Sequence, residues 1–410
     1  MSITDLPLTE MLTPADSAAV AEAVRMASGK GLAVYTIGGG TMLDGVAPTR
    51  PGIGLSTAKL NSVIDYPADD MTVTVEAGVT ISELNKKLAE KRQWLPVDVA
   101  FPDRATVGGA VAANAAGPRR YAYGTMRDYL LGFTAVDGTG MIFSSGGRVV
   151  KNAAGYNMCR LMAGSLGTLG IITQATLMVR PLPETTALLA CEVPDFDLAE
   201  KLLASLVRLP VYPVAIELSA GCPSRDAAVS AAQAGKTPAS QVVFGPLHDG
   251  NVCRLFVGFE GSAVEVEWML ARLREEWTSL GMTAPVLMPN MATDKLWRWM
   301  SEFPANARIN VLPSKTIETI VELLEVAPSC AIQTHAGDGE ILMGNGERET
   351  GEGSIRWSVV DGCRFYRSAD ASAQRENGDA SAVAPKMRVM RAIKERFDPA
   401  NILNPGLLFT

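Results

Sequence analysis

An α+β fold in two parts is predicted by three features of this chain. Three glycine-rich turns fall at strand ends within the first 183 residues, at Gly38 to Thr41, in the bare stretch Ala105 to Gly117, and from Gly164 to Gly170. Past Arg180-Pro181-Leu182-Pro183 the pattern changes to a β-α-β-β-α-β order, that of ferredoxin-like sheets. The 410 residues also exceed the roughly 250 to 300 over which one core usually grows. The expected division is residues 1–183, then 184–384, then a C-terminal helix and tail at 385–410.

Each element has a local reason. Thr13-Pro14 with Asp16 starts a helix whose apolar positions Val20, Val24 and Met26 end at Gly29 and Gly31. Leu32 to Ile37 reads as a strand that delivers the triple glycine. Such a turn invites a nicotinamide-type dinucleotide fold, which needs a helix starting at the glycines and an acidic residue about twenty positions on. Pro48 and Pro51, with Gly45, Gly52 and Gly54, forbid that helix. Val63 to Tyr66 and Met71 to Glu76 are strands joined through Pro67 to Asp70. Thr80 and Glu83 form a capping box ahead of Ile81, Leu84 and Leu88 on one helix face. Strands Leu130 to Val136 and Met141 to Ser144 flank Asp137-Gly138, and the third glycine turn feeds the strand Ile171 to Val179.

In the second part, strands Leu188 to Val193, Val214 to Leu218, Cys253 to Phe259 and Arg308 to Leu312 alternate with helices Phe196 to Val207 and Ala263 to Leu280. The small polar stretches 221–241, 344–353 and 368–384 read as loops. Pro385 to Phe397 is a basic helix leading to Asp398-Pro399 and Asn404-Pro405-Gly406.

Composition excludes several classes. A formal net charge of −7 argues against nucleic acid, whose binding draws on Lys and Arg against phosphate. The sequence shows neither a signal-peptide pattern nor an apolar run of about 18 residues, so a cytoplasmic protein is expected. Six cysteines with no C-x-x-C pair suit neither zinc nor an iron-sulfur cluster, and buried thiols are expected. Histidine occurs only at 248 and 335, which leaves a single possible pairing.

Between Ala105 and Gly117 no side chain is larger than valine. Bare backbone of this kind serves two ends: successive N–H donors can wrap a diphosphate, or small residues can let a helix approach a sheet closely. The stretch alone does not decide between them.

Taken together, the three turns, the small-residue stretch and the closing Asn-Pro-Gly resemble the vanillyl-alcohol-oxidase (PCMH-type) family of FAD-linked oxidases. The resemblance implies a two-subdomain FAD-binding domain with a smaller ferredoxin-like α+β cap. It implies that backbone at Ile37, Gly38, Gly39, Gly40 and Thr41, and at Ala105, Thr106, Val107, Gly108 and Gly109, running on through Asn114 and Gly117, holds the pyrophosphate. Tyr123, Gly124, Gly155, Gly164, Gly170, Ile171 and Ile172 correspond to positions lining flavin and adenine, and Asn404 lies on a tail the family returns to the FAD domain. Arg104, Arg119 and Arg120 lie in sequence reach of the diphosphate, or else are solvated surface. The match is good to residue 183 and loose beyond it. Within the family the chain is most similar to the smaller flavin subunit, E, of bacterial glycolate oxidase, through its shortened second domain and Lys151-Asn152-Ala153-Ala154-Gly155-Tyr156-Asn157.

Some members fasten FAD through a histidine of the first domain. This chain has none before residue 183, where Cys159 is the sole cysteine, so non-covalent FAD is expected. Oxidising a 2-hydroxy acid on flavin needs a base, a cation for the carboxylate and a hydride path. The segment Thr334-His335-Ala336-Gly337-Asp338-Gly339-Glu340-Ile341-Leu342 resembles one in which two histidines seven residues apart hold a metal or act at the substrate. Here Leu342 stands at the second position, and Glu340 where the family usually has asparagine. His335 is the candidate catalytic residue, its alternative being a hydrogen-bonded structural histidine, and no metal is expected. Arg308 and Asn310 are further candidates to face the flavin. The resemblance implies a D-type flavin subunit and an iron-sulfur subunit as partners in glycolate oxidation, reaching the inner membrane only through them. A self-sufficient 2-hydroxy-acid dehydrogenase and a non-catalytic flavin scaffold are the alternatives.

Overall fold

The computed structural model describes residues 6–42, 50–147, 156–221, 252–282, 285–288, 290–305, 307–328, 330–345, 366–367 and 380–407. Asp16 caps the first helix, Ser17–Gly29, by accepting from the Ala19 amide at 2.8 Å. That helix buries Val20, Val24 and Ala27 in a core shared with a parallel sheet ordered Leu8–Leu12, Gly52–Ser56, Ala33–Ile37. The helix is the crossover between the two outer strands, Leu8–Leu12 and Ala33–Ile37, which run parallel on either side of Gly52–Ser56. Gly52–Ser56 being a strand agrees with the exclusion of the nicotinamide-type helix.

An antiparallel sheet follows in the order Val63–Asp65, Thr72–Glu76, Ile171–Met178, Leu130–Val136, Ile142–Gly146. The reciprocal Thr80 and Glu83 capping box forms, and the helix Ile81–Ala89 buries Ile81, Leu84 and Leu88. The bare stretch contains a helix of its own, Val107–Ala113, which lies close on this sheet: a Cβ on Gly108 would sit 2.6 Å from the Ala77 Cβ. Close packing is therefore one of the jobs of these small residues.

The remaining strands build one eight-stranded antiparallel sheet, in the order Val286–Leu287, Thr185–Val193, Cys253–Gly261, Ala215–Ala220, Cys330–His335, Glu340–Asn345, Ala307–Asn310, Tyr366–Arg367. Its first four members have the ferredoxin-like order, with a correction to the fourth. The strand expected at Arg308 to Leu312 pairs instead with Glu340–Asn345 toward the opposite edge, and Val286–Leu287 takes the fourth place. Two residues are too short to show an alternating pattern, and alternation names a face rather than a partner. Helices Phe196–Arg208, Ala263–Ser279 and Thr316–Val326 cover one face; buried Trp277 donates through Nε1 to the Ser205 hydroxyl at 3.0 Å. Across the other face, helix Asn290–Ser301 packs Trp297 against Leu188, Ala190 and Phe256. Farther along that second face lie the buried polar residues Glu217, Gln333, His335 and Glu340.

The helix Ala380–Phe397 begins five residues before the expected start and leads the chain back to the parallel sheet. Lys394 Nζ donates to the carbonyls of Thr168 at 2.7 Å and Leu403 at 3.0 Å and pairs with Asp398 at 2.5 Å. Leu403 then bridges Val34 in parallel fashion. Cys159, Cys191, Cys253 and Cys330 are buried free thiols, and burial pushes Cys191 and Cys253 up to about 12. Cys222 and Cys363, and most of the three stretches read as loops, lie outside the described residues. Among the described residues no helix is long and apolar enough to cross a membrane.

Candidate functional site

The first two glycine-rich turns lie back to back. A Cβ on Gly39 would overlap the Arg104 carbonyl, and one on Gly38 would overlap the Thr106 hydroxyl. That hydroxyl is already committed, accepting from the Gly109 amide at 3.2 Å to cap the short helix. Together the turns form one wall of a cleft of about 1030 Å³, counting space open to solvent. The third turn lines the same cleft, bonded to the short helix through the Leu166 amide and Ala112 carbonyl at 2.8 Å, and a Cβ on Gly167 (φ +68°) would sit 2.7 Å from Asn404 Nδ2.

Asn404 joins these elements. It accepts from the Thr36 amide at 3.0 Å and donates to the Leu166 carbonyl at 2.9 Å, tying the strand before the triple glycine to the third turn. Asn404→Ala removes both bonds and should weaken any ligand of the cleft about tenfold, since one or two neutral hydrogen bonds contribute about 0.5–1.5 kcal/mol each. Titration of the purified variant with FAD checks this, and unchanged affinity would confine Asn404 to a turn-forming role.

Of the residues marked from sequence, Gly38, Gly39, Gly40, Thr41, Ala105, Thr106, Gly108, Gly109, Gly170, Ile171, Ile172 and Asn404 line this one cleft. Among the described residues the amides of Gly38 to Thr41 donate to no group, and amides of this kind suit an anionic ligand. At Gly38, Gly39 and Gly108 a Cβ would collide with neighbouring protein atoms, so these turns pack tightly with bare backbone at the cleft, a shape suited to a dinucleotide's diphosphate. Tyr35, Thr57, Val99, Leu166 and Leu407 also line the cleft. Leu166 sits inside a turn already singled out, whereas Thr57 and Val99 carry no local signal.

Other marked residues stand behind these walls. Ile37 and Val107 are buried in apolar clusters. Asn114, at φ +50°, ends the short helix and accepts from the Arg127 amide at 2.9 Å. Gly117 packs on Asp98, Gly124 on Asp128, and Gly164 on Asn114. Tyr123 donates to Glu260 at 2.8 Å, with burial and that carboxylate raising its phenol pKa. Gly155 lies outside the described residues. Arg104 is exposed beside the cleft, donating to the Gly39 carbonyl at 3.2 Å.

Arg119 and Arg120 correct the expectation that they lie by the diphosphate or in solvent. Arg119 pairs with Asp98 at 2.5 Å and Glu260 at 2.7 Å and stacks on Trp297, its guanidinium carbon 4.3 Å from the ring centre. Arg120 reaches Glu340 at 2.6 Å and Asp338 at 3.2 Å. Both therefore fasten the short helix Arg120–Tyr123 and its entry to the eight-stranded sheet.

On that sheet His335 is 5% exposed and sits in a transverse row. Strand register places Asn310 opposite Glu340, Glu340 opposite His335, and His335 opposite Glu217. His335 Nδ1 lies 2.8 Å from Glu217 Oε1, and its Nε2 lies 3.7 Å from Glu340 Oε2. Glu217 also accepts from Gln333 at 2.7 Å. Burial works against an imidazolium here, but the charge and hydrogen bond of Glu217, with Glu340 behind, lift the His335 pKa above its ordinary value. Leu342 faces Gln333 and contributes no second imidazole. This row does not line the cleft, so the structure does not bring His335 together with the glycine turns.

Comparison with known proteins matches residues 10–146 to the FAD binding domain family and residues 374–408 to the C-terminal domain of FAD linked oxidases. Two segments of the chain are thus similar to FAD-linked oxidases, and the fold is of the PCMH type. The chain is 29% identical to a D-lactate dehydrogenase of Archaeoglobus fulgidus over 97% of this chain and 90% of that one. To the glycolate oxidase subunit GlcE of Escherichia coli it is 26% identical, over 85% of this chain and 84% of the other. Among solved structures, an alkyldihydroxyacetonephosphate synthase superposes with a TM-score of 0.67 at 19% identity, covering 96% of this chain and 75% of its own, which speaks for the fold alone.

Proposed function

We propose that this chain binds FAD non-covalently in the glycine-walled cleft as the flavin-binding subunit of a glycolate-oxidase-type complex. It takes part in two-electron oxidation of glycolate, or a related 2-hydroxy acid, to the 2-oxo acid. The observation that supports this best is the cleft, where backbone amides and close-packed glycines from separate turns meet with the C-terminal Asn404. Bound FAD would supply a two-electron acceptor. The chain's own residues bind and orient: amides of Gly38 to Thr41 meet diphosphate charge, Arg104 adds a cation at the rim, and Ile171 and Ile172 offer apolar contact. Non-covalent attachment is supported because neither His335 nor Cys159 lines the cleft. Electrons would pass to an iron-sulfur partner, with a D-type flavin subunit alongside. The likeness to GlcE and the lone His335 with Leu342 opposite Gln333 support a subunit whose own substrate site is reduced.

A second reading, a self-sufficient 2-hydroxy-acid dehydrogenase, is favoured by the similarity to a D-lactate dehydrogenase along nearly the whole of both chains. Purified chain should show a flavin spectrum, and acid precipitation should release the flavin into the supernatant. Anaerobic glycolate should bleach it only when the suspected partner subunits are co-purified. Bleaching of the chain by itself with D-lactate or glycolate would favour the second reading, and a folded chain that refuses FAD would defeat both.

A further inference from the structure

Two arginines from distant parts of the chain converge on one carboxylate. Arg120 Nη1 lies 2.6 Å from Glu340 Oε2, and Arg308 Nη1 lies 2.9 Å from Glu340 Oε1, so each oxygen has its own cation. Glu340 is 5% exposed, while Arg120 and Arg308 are 26% and 50% exposed, so the clamp is reached by solvent from the arginine side. The imidazole of His335 borders the same oxygen as Arg120 at 3.7 Å. Guanidinium groups prefer carboxylates with a donor for each oxygen, and this is the arrangement a small free carboxylate would need.

We infer that Arg120 and Arg308 form a binding site for a small monocarboxylate whose place the chain's own Glu340 occupies. In formal charge, Arg120, Arg308 and an imidazolium at His335 stand against Glu340, Glu217 and Asp338, and the two sides balance. Truncating Glu340 to alanine removes one anion and opens a space the size of the deleted carboxymethyl group, which is that of acetate. The vacated pocket has two cations facing it and no anion between them. An external acetate or glycolate restores the balance. With Glu340 in place, the clamp is closed to such acids. Carboxylate binding at this clamp is independent of whether the cleft carries FAD or what it oxidises.

Thermal unfolding of full-length chain in acetate or glycolate, against chloride at equal ionic strength, tests this. Wild type should show no carboxylate-specific shift. Glu340→Ala should melt lower in chloride and recover about 2 °C at a tenfold excess of acetate or glycolate over Kd. Adding Arg308→Gln to Glu340→Ala should abolish that recovery, which a general salt effect would not. Should Glu340→Ala fail to fold in chloride, production in acetate should restore soluble protein. A folded Glu340→Ala indifferent to carboxylates, a variant that folds in neither buffer, or an Arg308-dependent shift in wild type would each overturn the inference. Because the readout needs no flavin, a negative result here leaves the proposed FAD role standing, and a colourless chain leaves this one standing.

Discussion

Gly39→Ala should reduce FAD affinity roughly 100-fold while leaving most of the protein folded. The new methyl would overlap the Arg104 carbonyl oxygen, with the Arg104 carbonyl carbon and the Ala105 nitrogen, at 3.1 Å, behind it. All three atoms belong to backbone, so no side chain can swing aside. The turn must open, moving the amides of Gly38 to Thr41 away from a ligand. Losing two hydrogen bonds to a charged group, at about 1.5 kcal/mol each, the lower end of the usual range, gives an effect of this size. Overpacking should add about 1–3 kcal/mol of destabilisation. Gly29→Ala is the internal control, because nothing lies within 4 Å of a Cβ there and the residue ends a helix. It should be neutral or slightly stabilising. Quenching of flavin fluorescence on binding gives Kd for each variant, and a Gly39→Ala affinity within threefold of wild type would show that this turn does not form the ligand wall.

The contrast between those glycines shows what was legible in the sequence. Gly38, Gly39 and Gly108 announce themselves as glycines in short glycine-rich runs, and a Cβ at each would meet a neighbouring atom at 2.6 Å or less. The same holds for Asp16 and for the Thr80 and Glu83 pair, whose capping bonds span three residues. Thr57 and Val99 reach the cleft only because the chain folds back there, and nothing around them encodes it. Arg119 and Arg120 were legible as cations near the bare stretch, yet their partners lie 141 and 220 residues away, at Glu260 and Glu340. Charge in a sequence has a sign without an address. Val286–Leu287 was invisible for the opposite reason, being a strand held by its place beside Thr185–Val193 rather than by its own pattern. His335 fell between these cases: its segment pointed to a site, but the row of Glu217, Glu340 and Asn310 that defines its chemistry is a product of strand register.

Glu217→Gln should turn that histidine from a cation into a neutral base and reverse the pH dependence of stability. Glu217 uses both oxygens, one toward His335 Nδ1 at 2.8 Å and one accepting from Gln333 at 2.7 Å, while the Ser219 hydroxyl donates to the Gln333 carbonyl at 2.6 Å and fixes that amide's orientation. Glutamine has one acceptor oxygen, and Gln333 claims it. The new amide nitrogen then faces Nδ1, which must accept, so the imidazole keeps its proton on Nε2 only. In wild type the His335 pKa is raised, so its contribution to stability is fully present below the unfolded value and is lost as pH rises through the folded one. In the variant burial acts without Glu217, the pKa falls below the unfolded value, and stability is lost as pH falls instead. Breaking a buried pair in this way costs about 3–5 kcal/mol where the wild-type histidine is charged, and less above its raised pKa. Urea unfolding across about pH 5 to 9 should therefore give slopes of opposite sign for the two proteins. Because histidine occurs only at 248 and 335, a His248→Gln background isolates the His335 imidazole for NMR titration. Parallel slopes, or an imidazole that titrates alike with and without the Glu217 carboxylate, would mean that His335 is neutral in the native protein and that the row holds no mobile proton.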